Sequence, residues 1–92
     1  MTGRTLEGRT ALITGAGRGL GKAMAEGLAA RGAKIALVDL ERDVLAAAAA
    51  DVETAGGQGC ALVLPADVTD TQRAAEVVEE TISSFGSLDI LI

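Results

Sequence analysis

The sequence predicts an α/β fold, a doubly wound parallel sheet in the order β-α-β-α-β-α-β, with residues 1–92 forming one domain. Three observations lead to this prediction. Short apolar runs, typical of strands buried on both faces, alternate with longer segments of helical periodicity. A glycine-rich stretch, Thr14–Gly21, separates the first apolar run from the first helical segment. Glycine also follows each helical segment, where helices commonly end.

The elements follow one another after a polar lead-in over residues 1–8. Strands are predicted at residues 9–14, 34–39, 60–66 and 88–92, and helices at 20–31, 42–55 and from Thr69 to about Phe85. The inner helix faces are predicted to contain Leu20, Ala23, Met24, Leu28, Leu45, Ala48, Ala49, Val52, Ala74, Val77, Val78, Ile82 and Phe85. Thr69 and Gln72 have the spacing of a capping box. Right-handed crossovers put the first two helices on one face, and the third on the other face if strand four lies beside strand one.

The glycine-rich stretch predicts a phosphate or pyrophosphate site. Glycine lets a ligand approach the backbone, and the following helix offers free N–H groups and the positive end of its dipole. The spacing does not match G-x-G-x-x-G, and a P-loop is excluded because Ala16 and Ala23 replace its glycine and hydroxyl residue. The spacing that fits is T-G-x-x-x-G-x-G. The alternative is a flexible turn without a ligand.

Asp39 is the candidate for cofactor choice. It ends the second predicted strand, 24 residues after Gly15, where a carboxylate accepts hydrogen bonds from ribose hydroxyls and repels a 2′-phosphate. We therefore expect NAD rather than NADP. Arg18 is the feature that favours NADP, because a guanidinium in the loop can meet a phosphate. The alternatives are an exposed strand-end aspartate and a solvated loop arginine.

Asp67 and Val68 follow the third predicted strand, next in space to the end of the second. Their carboxylate and backbone are candidates for contacts with an adenine edge. The alternative is that Asp67 stabilises the start of the third helix through its dipole. Spacing alone does not separate these two interpretations.

Composition argues against several classes of function. The net charge is −5 and one residue is aromatic, so neither the basic face nor the stacking platform of a nucleic-acid-binding protein is present. The longest apolar run, Val44–Ala50, is too short to cross a bilayer, and we expect a soluble, cytoplasmic protein without membrane contact. No metal site is expected because the chain has no histidine. Cys60 is interpreted as a buried small hydrophobe.

Three segments resemble the amino-terminal part of the short-chain dehydrogenase/reductase family over residues 6–92. They are Leu6–Gly15, Asp67–Thr69 and Gly86–Ile92, the last resembling the lead-in to the family's Asn-Asn-Ala-Gly motif. The resemblance implies a partial Rossmann fold and hydride transfer between a nicotinamide and an alcohol or ketone. It implies that the cofactor-binding residues are Gly15, Arg18, Gly19, Leu20 and Gly21 at the diphosphate and adjoining ribose, Asp39 at the adenine ribose, and Leu40, Asp67 and Val68 at the adenine.

The family's catalytic residues have no counterpart in the sequence. They are a later serine and a Tyr-x-x-x-Lys pair, and the chain contains no tyrosine. We therefore expect a truncated cofactor-binding part that is catalytically inactive alone. Ser83, Ser84 and Ser87 are interpreted as solvated serines, and Lys22 and Lys34 as surface lysines. The alternatives are a non-catalytic adenine-nucleotide module and a sheet fragment that depends on a partner or self-associates through the edge of strand four.

Overall fold

The computed structural model describes residues 5–92, so the first half of the predicted lead-in, residues 1–4, lies outside the described residues. The elements in chain order are β1 (Thr10–Thr14), α1 (Gly19–Ala30), β2 (Lys34–Asp39), α2 (Arg42–Gly56), β3 (Ala61–Pro65), α3 (Thr71–Phe85) and β4 (Ile90–Leu91). All neighbouring strands are parallel, and their order in the sheet is β3-β2-β1-β4. The predicted doubly wound α/β fold is therefore confirmed.

The sheet has an apolar core on each face. One face packs against α1 and α2 through a cluster made of Ala11, Ile13, Ala16, Ala25, Ala29, Ala33, Ile35, Leu37, Leu45, Val52 and Cys60. The other face packs against α3 through Leu12, Ala36, Val38, Leu64, Ala66 and Val77. Alternate residues of β1 and β2 point to opposite faces, which explains why the interiors of both strands, residues 11–13 and 35–38, are apolar. The predicted placement of the helices is confirmed, as is the burial of Cys60.

The beginning of α3 differs from the prediction. The N-cap is Asp70, whose carboxylate accepts a hydrogen bond of 3.2 Å from the backbone N–H of Arg73. Thr69, the predicted cap, instead donates from its N–H and its hydroxyl to the carboxylate of Asp67. The capping box is therefore wrong by one residue. An ionised aspartate is a strong acceptor at the positive end of a helix, and it replaces the threonine.

The inner faces of α1 and α3 also differ from the prediction. Leu20 and Ile82 are exposed, whereas Ala25, Ala29 and Thr81 are buried. A Cβ atom added to Gly56 would lie 2.7 Å from both the Cβ and the carbonyl oxygen of Ala29. Ala23, also predicted on the inner face, is exposed as well. Met24 and Leu28 of the predicted stripe are partly buried and pack against the core, while the close approach of α1 and α2 at Gly56 and Ala29 leaves room only for small residues.

Thr81 and Lys22 show how polar side chains are accommodated in this packing. The hydroxyl of Thr81 donates to the carbonyl of Val77 at 2.8 Å, which satisfies a fully buried polar group. Lys22 of α1 forms an ion pair of 2.6 Å with Asp51 of α2, and this contact raises the pKa of the lysine above its ordinary value. Lys22 therefore links two helices, which its interpretation as an ordinary surface lysine did not include.

The side chains of Asp89 and Ser87 connect the start of β1 to β4. The Asp89 carboxylate accepts from the backbone N–H of Thr10 at 2.9 Å, and the Asp89 N–H donates to the Thr10 carbonyl at 2.9 Å. The hydroxyl of Ser87 lies 3.0 Å from the same carboxylate and 3.3 Å from the hydroxyl of Thr10. Ser87 is therefore a bonded residue rather than a solvated one.

Across residues 5–92 we find no helix that combines the length and the apolar character needed to cross a membrane.

Candidate functional site

The loop after β1 is shaped by two glycines in the left-handed region. Gly15 and Gly19 both have φ of +62°, and a Cβ atom on either would meet no atom within 4 Å. Their lack of a side chain therefore serves the turn itself and leaves the outer side of the loop open. The N–H of Ala16 donates to the carbonyl of Val38 at 3.1 Å, which fixes the loop against β2.

Two further glycines allow close packing on the inner side of the loop. A Cβ atom on Gly21 would collide with the carbonyl oxygen of Gly15, so glycine is required where α1 approaches the loop. A Cβ atom on Gly17 would lie 2.6 Å from Cγ1 of Val44 and 2.8 Å from Oδ2 of Asp39. Gly17 occupies a variable position of the motif and was not among the predicted site residues. Its contacts come from distant parts of the chain, so no local sequence signal reveals them.

The amino-terminal end of α1 faces the same loop. Its N-cap residue, Arg18, is extended and makes no side-chain capping hydrogen bond. The first N–H groups of a helix have no acceptors within the helix, and they carry the positive end of its dipole. Gly19, Leu20 and Gly21 supply these groups, and Leu20 is 75% exposed. This end of α1 can therefore hold an anionic group.

The carboxylate of Asp39 is held by two backbone donors. Oδ2 accepts from the N–H of Gly17 at 3.0 Å, and Oδ1 accepts from the N–H of Leu40 at 2.8 Å. One donor belongs to the glycine-rich loop and the other to the residue after β2, so the side chain is fixed between the two segments. Each carboxylate oxygen retains acceptor capacity for hydroxyl groups of a ligand.

Asp67 organises the segment after β3. Its Oδ1 accepts from the hydroxyl of Thr69 at 2.7 Å and from the Thr69 N–H at 2.9 Å. These two bonds, with the hydroxyl making the larger contribution, hold the pKa of Asp67 below its ordinary value. The carboxylate is exposed and stays ionised at neutral pH. The neighbouring Val68 is 54% exposed, which leaves an apolar surface at the end of β3.

A cavity of about 230 Å³ lies at the carboxyl ends of β1, β2 and β3. It is lined by Thr14, Gly15, Val38, Asp39, Leu40, Ala66, Asp67 and Val68. Five of the predicted site residues thus meet at one cavity, while Arg18, Gly19, Leu20 and Gly21 lie beside it on the loop and α1. An apolar cavity of about 170 Å³ adjoins it on the α3 side of the sheet and shares Thr14, Val38, Ala66 and Val68.

The groups around this cavity and at the start of α1 have the chemistry to bind an adenosine diphosphate group. The fixed carboxylate of Asp39 suits ribose hydroxyls, and the exposed side chains of Leu40 and Val68 suit the faces of a flat base. The open N-terminus of α1 suits phosphate oxygens. Arg18 lies next to that N-terminus, and its guanidinium pairs with the carboxylate of Glu41 at 3.8 Å, with both side chains 71% exposed.

The profile of the short chain dehydrogenase family matches residues 9–92. Curated relatives include a sorbitol dehydrogenase from Cereibacter sphaeroides, 41% identical over 95% of this chain, and the human 15-hydroxyprostaglandin dehydrogenase (NAD(+)), 40% identical over 95% of this chain. The chain spans 32% and 33% of the length of these two relatives.

Solved structures agree with the sequence relatives. A short-chain type dehydrogenase/reductase from Mycobacterium marinum superposes with a TM-score of 0.88 at 33% identity, over 96% of this chain and 35% of that one. A 3-ketoacyl-(acyl-carrier-protein) reductase from Brucella melitensis, complexed with NADH, superposes with a TM-score of 0.84 at 38% identity. That superposition covers 94% of this chain and 34% of the reductase.

Proposed function

Because the chain belongs to the short chain dehydrogenase family, we propose that its 230 Å³ cavity binds the adenosine half of NAD. The observation that carries the proposal is the meeting of Gly15, Asp39, Leu40, Asp67 and Val68 at that cavity. These residues come from three separate segments, each of which lies at the carboxyl end of a different strand. In open parallel sheets, ligands bind at the carboxyl ends of the strands.

The proposed roles follow from the chemistry of each group. Asp39 accepts hydrogen bonds from the adenine ribose, while Leu40, Asp67 and Val68 border the adenine. The diphosphate and the adjoining ribose contact a second set of residues: Gly15, Arg18, Gly19, Leu20 and Gly21. Bound NAD supplies a nicotinamide that accepts or donates a hydride, and the chain's contribution is to hold and orient the other end of the molecule.

We propose NAD rather than NADP as the preferred cofactor. A 2′-phosphate would stand against the carboxylate of Asp39, which the N–H groups of Gly17 and Leu40 hold in place. A fixed like charge disfavours such a partner strongly. Arg18 already faces the opposite charge of Glu41, although an exposed pair of this kind is weak. The position of Asp39 therefore outweighs the nearby arginine.

The reaction proposed for the whole protein is hydride transfer between the nicotinamide and an alcohol or ketone. The names of its relatives, a sorbitol dehydrogenase and a 15-hydroxyprostaglandin dehydrogenase, support this substrate class. We propose that the 92-residue chain alone is inactive, because it contains no tyrosine to act as acid and base. A reduced-nicotinamide assay over varied ketones, showing turnover by the pure chain well above background, would refute this.

Titration of the isotope-labelled chain with NAD and NADP, followed by amide chemical shifts, tests cofactor binding. We expect shifts in Gly15–Gly21, Asp39–Leu40 and Asp67–Val68, and a lower Kd for NAD. Asp39→Ala should weaken NAD binding about tenfold or more, since hydrogen bonds to a charged group are lost. Asp39→Asn keeps the size of the side chain and removes its charge. It should therefore bring the Kd values for NAD and NADP closer together. Glu79→Gln on α3 is the matched control. Absence of shifts at these residues would contradict the proposal.

The exposed edge of β4 supports a second proposal, that the 92-residue chain self-associates. Within residues 5–92, β4 pairs with β1 only, and Leu91 is 68% exposed. An unpaired apolar strand edge favours pairing with another chain. Light scattering should show dimers or larger species that Leu91→Lys converts to monomer. A monomer at all concentrations of the unchanged chain would exclude this proposal.

A further inference from the structure

The guanidinium of Arg73 joins α3 to the end of β3. Its Nε and Nη2 donate to the carbonyl oxygen of Pro65 at 3.3 and 3.0 Å. Its Nη1 donates to Glu80 at 2.8 Å and to Glu76 at 3.4 Å. The side chain is 26% exposed, and its two carboxylate partners lie on the same helix. The fork of the guanidinium thus faces β3 on one side and the carboxylates on the other.

The carbonyl that Arg73 holds lies at the start of one cavity wall. Pro65 ends β3, and the next three residues, Ala66, Asp67 and Val68, line the 230 Å³ cavity. The N–H of Ala66 donates to the backbone carbonyl of Asp39 at 2.9 Å, which ties the wall to β2. Arg73 therefore fixes the wall from the α3 side, while Asp39 fixes it from the β2 side. Arg73 itself does not line the cavity.

We propose that Arg73 is a positioning residue for the adenine side of the nucleotide site. This inference rests on the proposed function and extends it to a residue outside the cavity. The carboxylates of Glu76 and Glu80 hold the guanidinium in the orientation in which two of its donors meet one carbonyl. Lysine cannot reproduce this arrangement, because the three donors of an ammonium share one nitrogen on a flexible stem, whereas Arg73 uses three nitrogens held in one plane. The 66–68 wall then presents Val68 and Asp67 to the base in one conformation.

Arg73→Gln separates this role from general stability when two ligands are compared. AMP probes both the 66–68 wall and the anion-binding N-terminus of α1. Inorganic pyrophosphate probes the N-terminus of α1 alone. We expect the Kd for AMP to rise about five- to tenfold and the Kd for pyrophosphate to change less than about twofold, as expected for one lost hydrogen-bonding group. The amides of Ala66 and Thr69 should also exchange with solvent faster, while those of Leu12 and Ile35 stay unchanged.

Arg31→Gln is the matched control. It removes the same charge and a similar side-chain hydrogen bond, here 3.0 Å from Nη1 to the carbonyl of Gly27, directly after α1 and before the start of β2. It should leave the Kd for AMP and the exchange of Ala66 unchanged. If Arg73→Gln does not fold, Arg73→Lys retains the ion pair with Glu80 and should still raise the Kd for AMP about two- to threefold.

The outcomes distinguish failure of this inference from failure of the proposed function. AMP binding by the unchanged chain with equal affinity for Arg73→Gln and Arg31→Gln would overturn the role of Arg73. Faster exchange at Ala66 without a change in AMP affinity would also overturn it. No AMP binding by the unchanged chain would overturn the proposed function and this inference with it. Equal losses of AMP and pyrophosphate binding would reduce Arg73 to a general structural residue.

Discussion

The carboxylate of Asp39 is oriented before any ligand arrives. The N–H groups of Gly17 and Leu40 bond one oxygen each, so the side chain is held in one rotamer. Ordering a free side chain on binding costs about 0.5–1.5 kcal/mol, and this cost is reduced here because the acceptor is already in place. Because one of the two donors belongs to the glycine-rich loop, the loop and the end of β2 act as one unit.

Gly17→Ala should move the glycine-rich loop away from the end of β2, because a Cβ atom there would overlap Oδ2 of Asp39 and Cγ1 of Val44. We expect NAD binding to weaken about tenfold. Isothermal titration of both chains with NAD measures the change. Gly27→Ala on α1 is the control, since its Cβ atom would meet only Nη1 of Arg31 at 3.9 Å. Unchanged NAD affinity of Gly17→Ala would show that Asp39 keeps its position without glycine at residue 17.

Asp89 should give the fold a dependence on acid pH. The backbone N–H of Thr10, followed by the hydroxyl of Ser87, lowers the pKa of Asp89 below its ordinary value of 3.8. The stabilisation from this carboxylate is therefore complete above the unfolded pKa and is lost as the pH falls through the folded pKa. In urea titrations, Asp89→Asn should be less stable than the unchanged chain at pH 7, and this difference should shrink below about pH 4.

Arg9→Gln is the control for that measurement. The guanidinium of Arg9 lies 3.8 Å from Asp89 and its side chain is 62% exposed, so it contributes less than the two hydrogen bonds do. Arg9→Gln should keep the acid dependence nearly intact. A difference between Asp89→Asn and the unchanged chain that is the same at pH 3 and pH 7 would rule out the titration of Asp89 as its source.

At the level of elements, the contact between α1 and α2 depends on small residues. Gly56 ends α2 against Ala29, and Ala25 and Ala48 are buried in the same layer. Small residues let two helices approach closely, and the sheet below them then receives both helices on one face. The alanine run of α2 serves this packing as well as helix formation.

Gly56→Ala should destabilise the fold by about 1–3 kcal/mol, because its Cβ atom would overlap the backbone of Ala29. Chemical denaturation followed by circular dichroism measures the change. Gly27→Ala, also on a helix but without such a neighbour, should instead stabilise by up to about 1 kcal/mol. Equal effects of the two substitutions would indicate that α1 and α2 separate without cost.

The sequence was sufficient to predict the elements whose patterns are local. The strand at Lys34–Asp39 was predicted at its observed bounds, and Gly32, Gly56 and Gly86 lie where the helices end. The errors arise where distant parts of the chain decide. Leu20 fits an apolar helical stripe but is exposed in the first turn of α1, whereas Met24 and Leu28 of the same stripe pack against the core.

In the candidate site, too, the residues with local patterns were predicted and those that depend on distant contacts were not. The spacing of the glycines and the position of Asp39 are local patterns, and they indicate the loop and the strand end without knowledge of any distant contact. Gly17 and Arg73 have no such pattern. Gly17 matters through Asp39 and Val44, and Arg73 through the carbonyl of Pro65, and these contacts exist only once the strands are side by side.

For the molecule as a whole, binding of NAD should stabilise the fold. A chain of this size buries a modest share of its surface and has a small free energy of unfolding. The contribution from ligand binding is therefore large relative to that free energy. At an NAD concentration of about 100 times the Kd, the free energy of unfolding should rise by about 2.7 kcal/mol. Thermal unfolding with and without NAD measures this. The same concentration of nicotinamide mononucleotide, which lacks the adenosine, is the control and should have little effect.

The strand order β3-β2-β1-β4 has a consequence for how the chain folds. Three strands pair with their neighbours in sequence, whereas β4 must reach β1 across 79 residues, as between Thr10 and Asp89. Long loops close late because their entropy must be lost before the contact forms. In pulse-labelled refolding, the amide of Leu37 should therefore become protected before that of Ile92. The cavity over β1, β2 and β3 is then complete before the sheet is, and a nucleotide present during refolding should stabilise the state in which these three strands are paired and β4 is not.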